Sequence, residues 1–277
     1  MPLCAVYVLH RLGVVELDFP IRQKIRWRRG APALPHASKS GLFSDEGQRT
    51  AHRIVEKYGL EDWEQQSGFG AFEASLFYLE MMERAFEACD VHLPDPLVAV
   101  DVGPSDWFYV QTLHAFLTSW QQPQRRRVSL DGVELDAWRL YRDLRSRADW
   151  AEAYVGSLPD VNYLAQDIRT YRRPVDLALM FFPFLFQSDH RAWGLPARYL
   201  QPAALLKHVV SLIQPGGILL VVNQGSDERD RQHQLFAEAG LPIAWSACHT
   251  SSLAEFSPER YVTLVQIPAH GDHSSRT

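Results

Sequence analysis

Cysteine is scarce in this chain: Cys4, Cys89 and Cys248 are the only three in 277 residues, and they lie far apart. An odd, scattered set builds neither a disulfide framework nor a spaced metal site. It suits a reducing compartment, so a cytoplasmic protein is expected. Long apolar runs are missing as well. No stretch approaches the roughly 20 residues that cross a bilayer, which removes membrane-spanning classes, and no membrane partner is expected. The opening MPLCAVYVLHRLGVVELDFP has no basic leader and is interrupted by His10, Arg11, Glu16 and Asp18. It reads as an N-terminal strand or a poorly ordered start, not a signal peptide. Positive charge is not in surplus, since 28 Lys and Arg against 33 Asp and Glu give a net charge of −5. That balance gives no global case for nucleic-acid binding. The 11 histidines form no pair at metal-ligand spacing, so no metal is expected.

What is present is a globular composition, 46% hydrophobic and 22% charged, sufficient for a sizeable core. The length suits one large domain or a domain with an extension. Residues 1–97 hold little strand signal after the first twenty. IRQKIRWRRG (21–30) is a local basic run, read as a solvated segment with anion binding as its alternative. Ser44 has the character of an N-cap, with Asp45 and Glu46 in the first turn of a helix that Gly59 stops. Phe72, Leu76, Leu79, Met82 and Phe86 recur at helical spacing over 71–89. This part, 1–97, is expected to form a mainly helical extension or cap.

From residue 98 the rhythm changes to short apolar runs alternating with amphipathic stretches. Strands are expected at 98–102, 128–135, 161–167, 175–184, 218–224, 242–249 and 260–267, with helices at 108–120, 137–155, 202–213 and 227–239. Alternation of this kind means an α/β fold with a mostly parallel sheet covered on both faces. The last two strands are separated by about ten residues containing Pro258, too few for a parallel crossover, so the final strand is expected to be antiparallel. Residues 268–277 read as a disordered tail.

In such a sheet ligands bind outside the carboxyl ends of the strands. Three successive strands end near an acid there: Asp101 before Gly103, Glu134 before Asp136, and Asp167 before Ile168. Buried-edge acids need hydrogen-bond donors, and a ribose or an adenine amine can supply them. Asp136 is expected to cap the helix that follows it. The series DVG, GVELD, AQDI, VDLALMFFPF and LIQPGGILLVVNQG, in this order, resembles class I S-adenosylmethionine (SAM)-dependent methyltransferases over residues 98–267. The resemblance implies a Rossmann-like seven-stranded sheet with an antiparallel final strand, SAM as cofactor, and methyl transfer to an acceptor, expected to be a small molecule. It places Asp101 and Gly103 at the methionine part of SAM, Ser105 in the loop below it, and Glu134 at the ribose hydroxyls. Asp167 and Ile168 fall at adenine, and Phe181 and Phe182 on the passage from sulfonium to acceptor.

Two departures stand out. The family's first loop is usually GxGxG after the acid, whereas this one reads Gly103-Pro104-Ser105-Asp106-Trp107. Trp107 either points away or fills part of the cofactor space. Phe181-Phe182-Pro183-Phe184 replaces the polar-Pro-Pro-aromatic sequence of enzymes that methylate exocyclic or amide nitrogens, which argues against such acceptors. Asp189-His190 follows, with Trp193 and Tyr199 behind it, and His190 is the candidate base. A methyltransferase-like protein without catalysis and a nicotinamide-dependent oxidoreductase are the alternatives.

Overall fold

The computed structural model describes residues 14–122 and 124–268, with side chains from residue 18 onward. The expectations for residues 1–13 and for the tail beyond 268 lie outside the described residues. Helices α1 (Val14–Ile25), α2 (Asp45–Tyr58), α3 (Glu61–Gln66) and α4 (Phe69–Ala88) precede strand β1 (Leu97–Val102). Then follow α5 (Val110–Ser119), β2 (Val128–Val133), α6 (Arg147–Val155), β3 (Val161–Leu164), β4 (Val175–Phe181) and α7 (Gln187–Ala192). The chain closes with α8 (Pro202–Leu212), β5 (Ile213–Gln224), α9 (Gly225–Glu238), β6 (Ile243–His249) and β7 (Arg260–Gln266).

The seven strands form one sheet in the order β3-β2-β1-β4-β5-β7-β6. All pairings from β3 through β5 are parallel, and β7 lies between β5 and β6, antiparallel to both. The short link between β6 and β7 enforces that direction, as its length implied. Strand order reverses between β1 and β4, which opens a crevice at their carboxyl ends. Residues alternate between two cores with period two. Leu177, Leu179 and Phe181 face one cluster, with Phe72, Leu76 and Phe116. Ala178 and Met180 face the other, with Leu206, Val209 and Phe236. Helices α2 and α4 therefore share a core with the sheet. No helix among the described residues is long and apolar enough to cross a membrane.

The caps read from the sequence form as expected. The Ser44 side chain accepts from Gly47 N, and Gly59 takes a left-handed φ of 64° that ends α2. Buried Glu83 on α4 accepts from Arg53, Lys57 and Tyr58 of α2, tying the two helices together.

Three expectations need correction. Residues 14–25 form a helix, not a strand, because Phe19 buries against Tyr199 with ring centroids 5.1 Å apart and Arg22 pairs with Asp136. The helix expected over 137–155 begins only at Arg147. Ser146 and Asp149 make a reciprocal capping box there, and Leu144 is left-handed at φ 61°. Asp136 consequently caps no helix and instead pairs with Arg22 and Arg139 at 2.7 Å each. The short helices α3 and α7 were not legible in the sequence, being under two turns long.

Asp149 also anchors the segment after α1. It accepts from Arg28 Nε at 2.7 Å and from the backbone N–H groups of Arg29 and Gly30 at 3.0 Å. Burial works against its charge, but these donors and Ser146 outweigh burial and hold its carboxyl below the usual carboxylate range. A depressed folded pKa contributes stability above the ordinary value that is lost as pH falls through it. Asp149→Ala is expected to lower stability by about 2–4 kcal/mol at neutral pH, with the deficit shrinking in acid, and to speed tryptic cleavage at Arg26–Arg29. Urea unfolding across pH, with timed proteolysis, checks this.

Candidate active site

A cavity of about 870 Å³ lies at the carboxyl ends of the parallel strands, at the switch between β1 and β4. The loop after β1 forms one wall. Its backbone is left-handed at Gly103, Ser105 and Trp107, with φ of 72°, 60° and 59°. Only glycine adopts this region without cost; other residues give up about 1–2 kcal/mol each. The loop thus has positive φ at all three positions where GxGxG would put glycine, with Ser and Trp at two of them.

Hydrogen bonds hold this shape. Gly103 N donates to Val133 O at 2.9 Å, Ser105 N to Glu134 Oε2 at 2.9 Å, and Tyr163 OH to Ser105 O at 2.6 Å. Beneath the loop, Trp107 is fully buried and lies across β2 at Gly132, where a Cβ would come within 2.8 Å of the indole ring. The Trp107 Nε1–H and the Tyr109 hydroxyl both donate to Asp101 Oδ2 at 2.8 Å. Trp107 does not line the cavity.

Asp101 does not line it either. Its side chain shares the face of Leu97 and Ala99, so it drops beneath the loop toward α5. Burial pushes its carboxyl up to about 7, against the pull of Tyr109 and Trp107. The other seven sequence-derived cofactor positions line the cavity together: Gly103, Ser105, Glu134, Asp167, Ile168 and the pair Phe181–Phe182. Glu134 accepts from Ser105 N, from Asp136 N at 2.7 Å, and from Arg147 at 3.3 Å. Burial raises its pKa, opposed first by Arg147. Two carboxylate oxygens offer about four acceptor sites, so one remains for a ligand. Asp167 is more committed, since Arg169 binds both of its oxygens and its side chain caps a 3₁₀ turn. Phe182 is left-handed at φ 56°, which turns the chain away from β4 at the cavity wall. His190 lines the cavity from α7, buried, with its ring edge-on to Phe184 at 5.5 Å.

Several lining residues carried no sequence signal. Arg147 sits buried beside both Glu134 and Asp136. Tyr78 of α4 and Tyr109 form an aromatic wall with Phe181, the last two stacked at 5.1 Å and 17°. Gly132, beneath the loop and outside the lining, did carry one: an isolated glycine inside a strand marks close approach of another group. Here that group is Trp107.

No family model and no curated protein matches this sequence. Solved structures match the fold. A protein of Listeria monocytogenes described as a class I SAM-dependent methyltransferase aligns at a TM-score of 0.50 and 12% identity, over 85% of this chain and 73% of its own. The CurJ carbon methyltransferase aligns at 0.50 and 11% identity, over 80% and 68%. The chain has the fold of class I SAM-dependent methyltransferases.

Asp101 generates a pH prediction. Its folded pKa of about 7 exceeds the ordinary 3.8, so its contribution to stability is full below about pH 4 and falls as pH rises through 7. Asp101→Asn is expected to flatten the stability profile between those values by up to about 1.4 kcal/mol per pH unit. Chemical unfolding of both proteins over this range measures the difference, and parallel profiles would contradict it.

Proposed function

We propose that the chain is a SAM-dependent methyltransferase that holds SAM in this cavity and methylates a small-molecule acceptor. The observation that carries this reading is the post-β1 loop, left-handed at 103, 105 and 107, which lines the cavity at Gly103 and Ser105 while Trp107 packs beneath it and leaves it open. The antiparallel β7 sets the sheet apart from the all-parallel order expected of a nicotinamide-dependent oxidoreductase.

SAM supplies a methyl group already activated on a sulfonium. In this reading Glu134 would accept from one ribose hydroxyl with its remaining capacity, and the backbone at Gly103 and Ser105 would border the methionine part. Ile168 provides an apolar contact for adenine. Asp167 borders the same end through a carboxylate already satisfied by Arg169, so shape selects adenine there more than a carboxylate bond does. Tyr109, Phe181 and Phe182 exclude water and present aromatic surface near the sulfonium, which favours a cation. The cavity wall would hold an acceptor against the activated methyl group, and that positioning would supply the main acceleration. His190 takes the proton that the acceptor nucleophile loses. Residues 1–97 act as a helical cap on the 98–267 domain, contributing Tyr78 to the wall. The free Cys89 and Cys248 suit the cytoplasm.

Calorimetric titration with SAM and S-adenosylhomocysteine tests the reading. Saturable binding is expected, weakened about tenfold or more in Glu134→Ala, with Glu134→Gln intermediate. An absence of heat with either ligand in the intact protein sinks it. With an acceptor identified by screening, His190→Gln is expected to leave affinity unchanged and slow transfer by about 100-fold or more.

A further inference from the structure

Exposed apolar surface is not scattered over this molecule. Of the eight large hydrophobic side chains exposed among the described residues, six sit on one rim: Ile21, Ile25, Trp27, Leu140, Leu144 and Trp193. The other two, Phe69 and Ile243, lie elsewhere. Ile25 is 63% exposed and Leu144 59%, far beyond what core packing leaves open. Hydrogen bonds join the three segments of the rim. Trp27 Nε1–H donates to Leu144 O at 3.0 Å, Gln23 to Leu135 O at 2.9 Å, and Arg22 to Gly194 O at 3.2 Å. Arg139 also donates to Trp193 O. Ile21 and Ile25 stand one turn apart on α1, on the same outward stripe. Exposed apolar side chains gathered on hydrogen-bonded neighbouring segments mark an interaction surface.

The charge on this rim is opposite in sign to that of the whole chain. Lys24, Arg26, Arg29 and Arg142 are exposed and have no carboxylate partner among the described residues, on a chain of net charge −5. The Arg26 and Arg29 side chains donate to the carbonyls of Gln23 and Asp143 and to no carboxylate among the described residues. The apolar members are mostly aliphatic. A surface for single-stranded nucleic acid needs aromatic faces on which bases stack, and here only Trp27 and Trp193 could serve. Aliphatic side chains flanked by Trp and by unpaired Lys and Arg fit the boundary between lipid headgroups and acyl chains.

We propose that this rim docks the protein on an anionic lipid bilayer surface. The helix lies on the membrane and does not span it, so the absence of a spanning segment is no obstacle. Trp193 belongs both to the rim and to the cavity wall, which sets the cavity mouth beside the bilayer. The proposal does not rest on the methyltransferase reading.

Co-sedimentation of the full chain with vesicles tests it, using phosphatidylcholine alone and phosphatidylcholine mixed with phosphatidylglycerol. Binding is expected only to the anionic vesicles and is expected to weaken as salt rises. Ile25→Glu, and separately Lys24→Glu with Arg26→Glu, are each expected to weaken it about tenfold or more. Circular dichroism confirms folding, and the second variant changes exposed charges alone. No binding to anionic vesicles, equal binding to neutral ones, or binding indifferent to both variants overturns the proposal. So does tighter retention on single-stranded RNA, or a dimer in solution that Ile25→Glu dissociates.

Discussion

The indole of Trp107 lies against β2 where Gly132 leaves no side chain, and its N–H ends on Asp101. The cavity wall depends on this contact. Two non-glycine residues in left-handed backbone cost about 2–4 kcal/mol together. Burying an indole of about 150–250 Å² at about 25 cal/mol per Å² contributes about 4–6 kcal/mol, enough to offset that strain. Asp101 then couples the loop to the aromatic wall, because the same oxygen also holds the Tyr109 hydroxyl. Loop, strand and cavity wall are thus fixed through one buried carboxylate that the cavity itself never reaches.

A second polar cluster closes the rim. Arg147 stands between Glu134 and Asp136, and Arg22 and Arg139 converge on Asp136. Removing Arg147 would leave buried Glu134 without its ion-pair partner, which is far more damaging than losing an exposed pair. Through Arg22 the helix α1 is tied to the end of β2, so the segment carrying the basic run is part of the cavity's surroundings. The Trp193 ring completes the enclosure by lying over Arg147 at 5.0 Å.

Much of the sheet was legible because its strands are buried runs of β-branched and aliphatic residues, such as Leu97–Val102 and Val175–Phe181, bounded by turn residues. The direction of β7 was legible from the length of its connection. One wall of the cavity was legible as a set of strand-end positions, since parallel strands bring their carboxyl ends to one edge. Side-chain direction was not. Asp101 and Glu134 look alike in the sequence, yet Asp101 sits inside β1 and drops beneath the loop, whereas Glu134 follows the end of β2 and lines the cavity. Residues 137–146 carry a helical pattern in Leu140, Tyr141 and Leu144, but the capping box at Ser146 and the contacts from Trp27 and Arg29 override it. Those contacts come from more than a hundred residues away, beyond the reach of any local pattern.

The most direct test is to restore glycine at Trp107, one of the two positions where the loop departs from GxGxG. Calorimetric titration of Trp107→Gly with S-adenosylhomocysteine, on protein whose unfolding free energy is measured alongside, distinguishes support from obstruction. If Trp107 holds the loop from beneath, the variant loses about 3–5 kcal/mol of stability and binds more weakly than the intact protein. Unchanged stability with tighter binding would contradict the account, because it would mean that the indole obstructs the cofactor space.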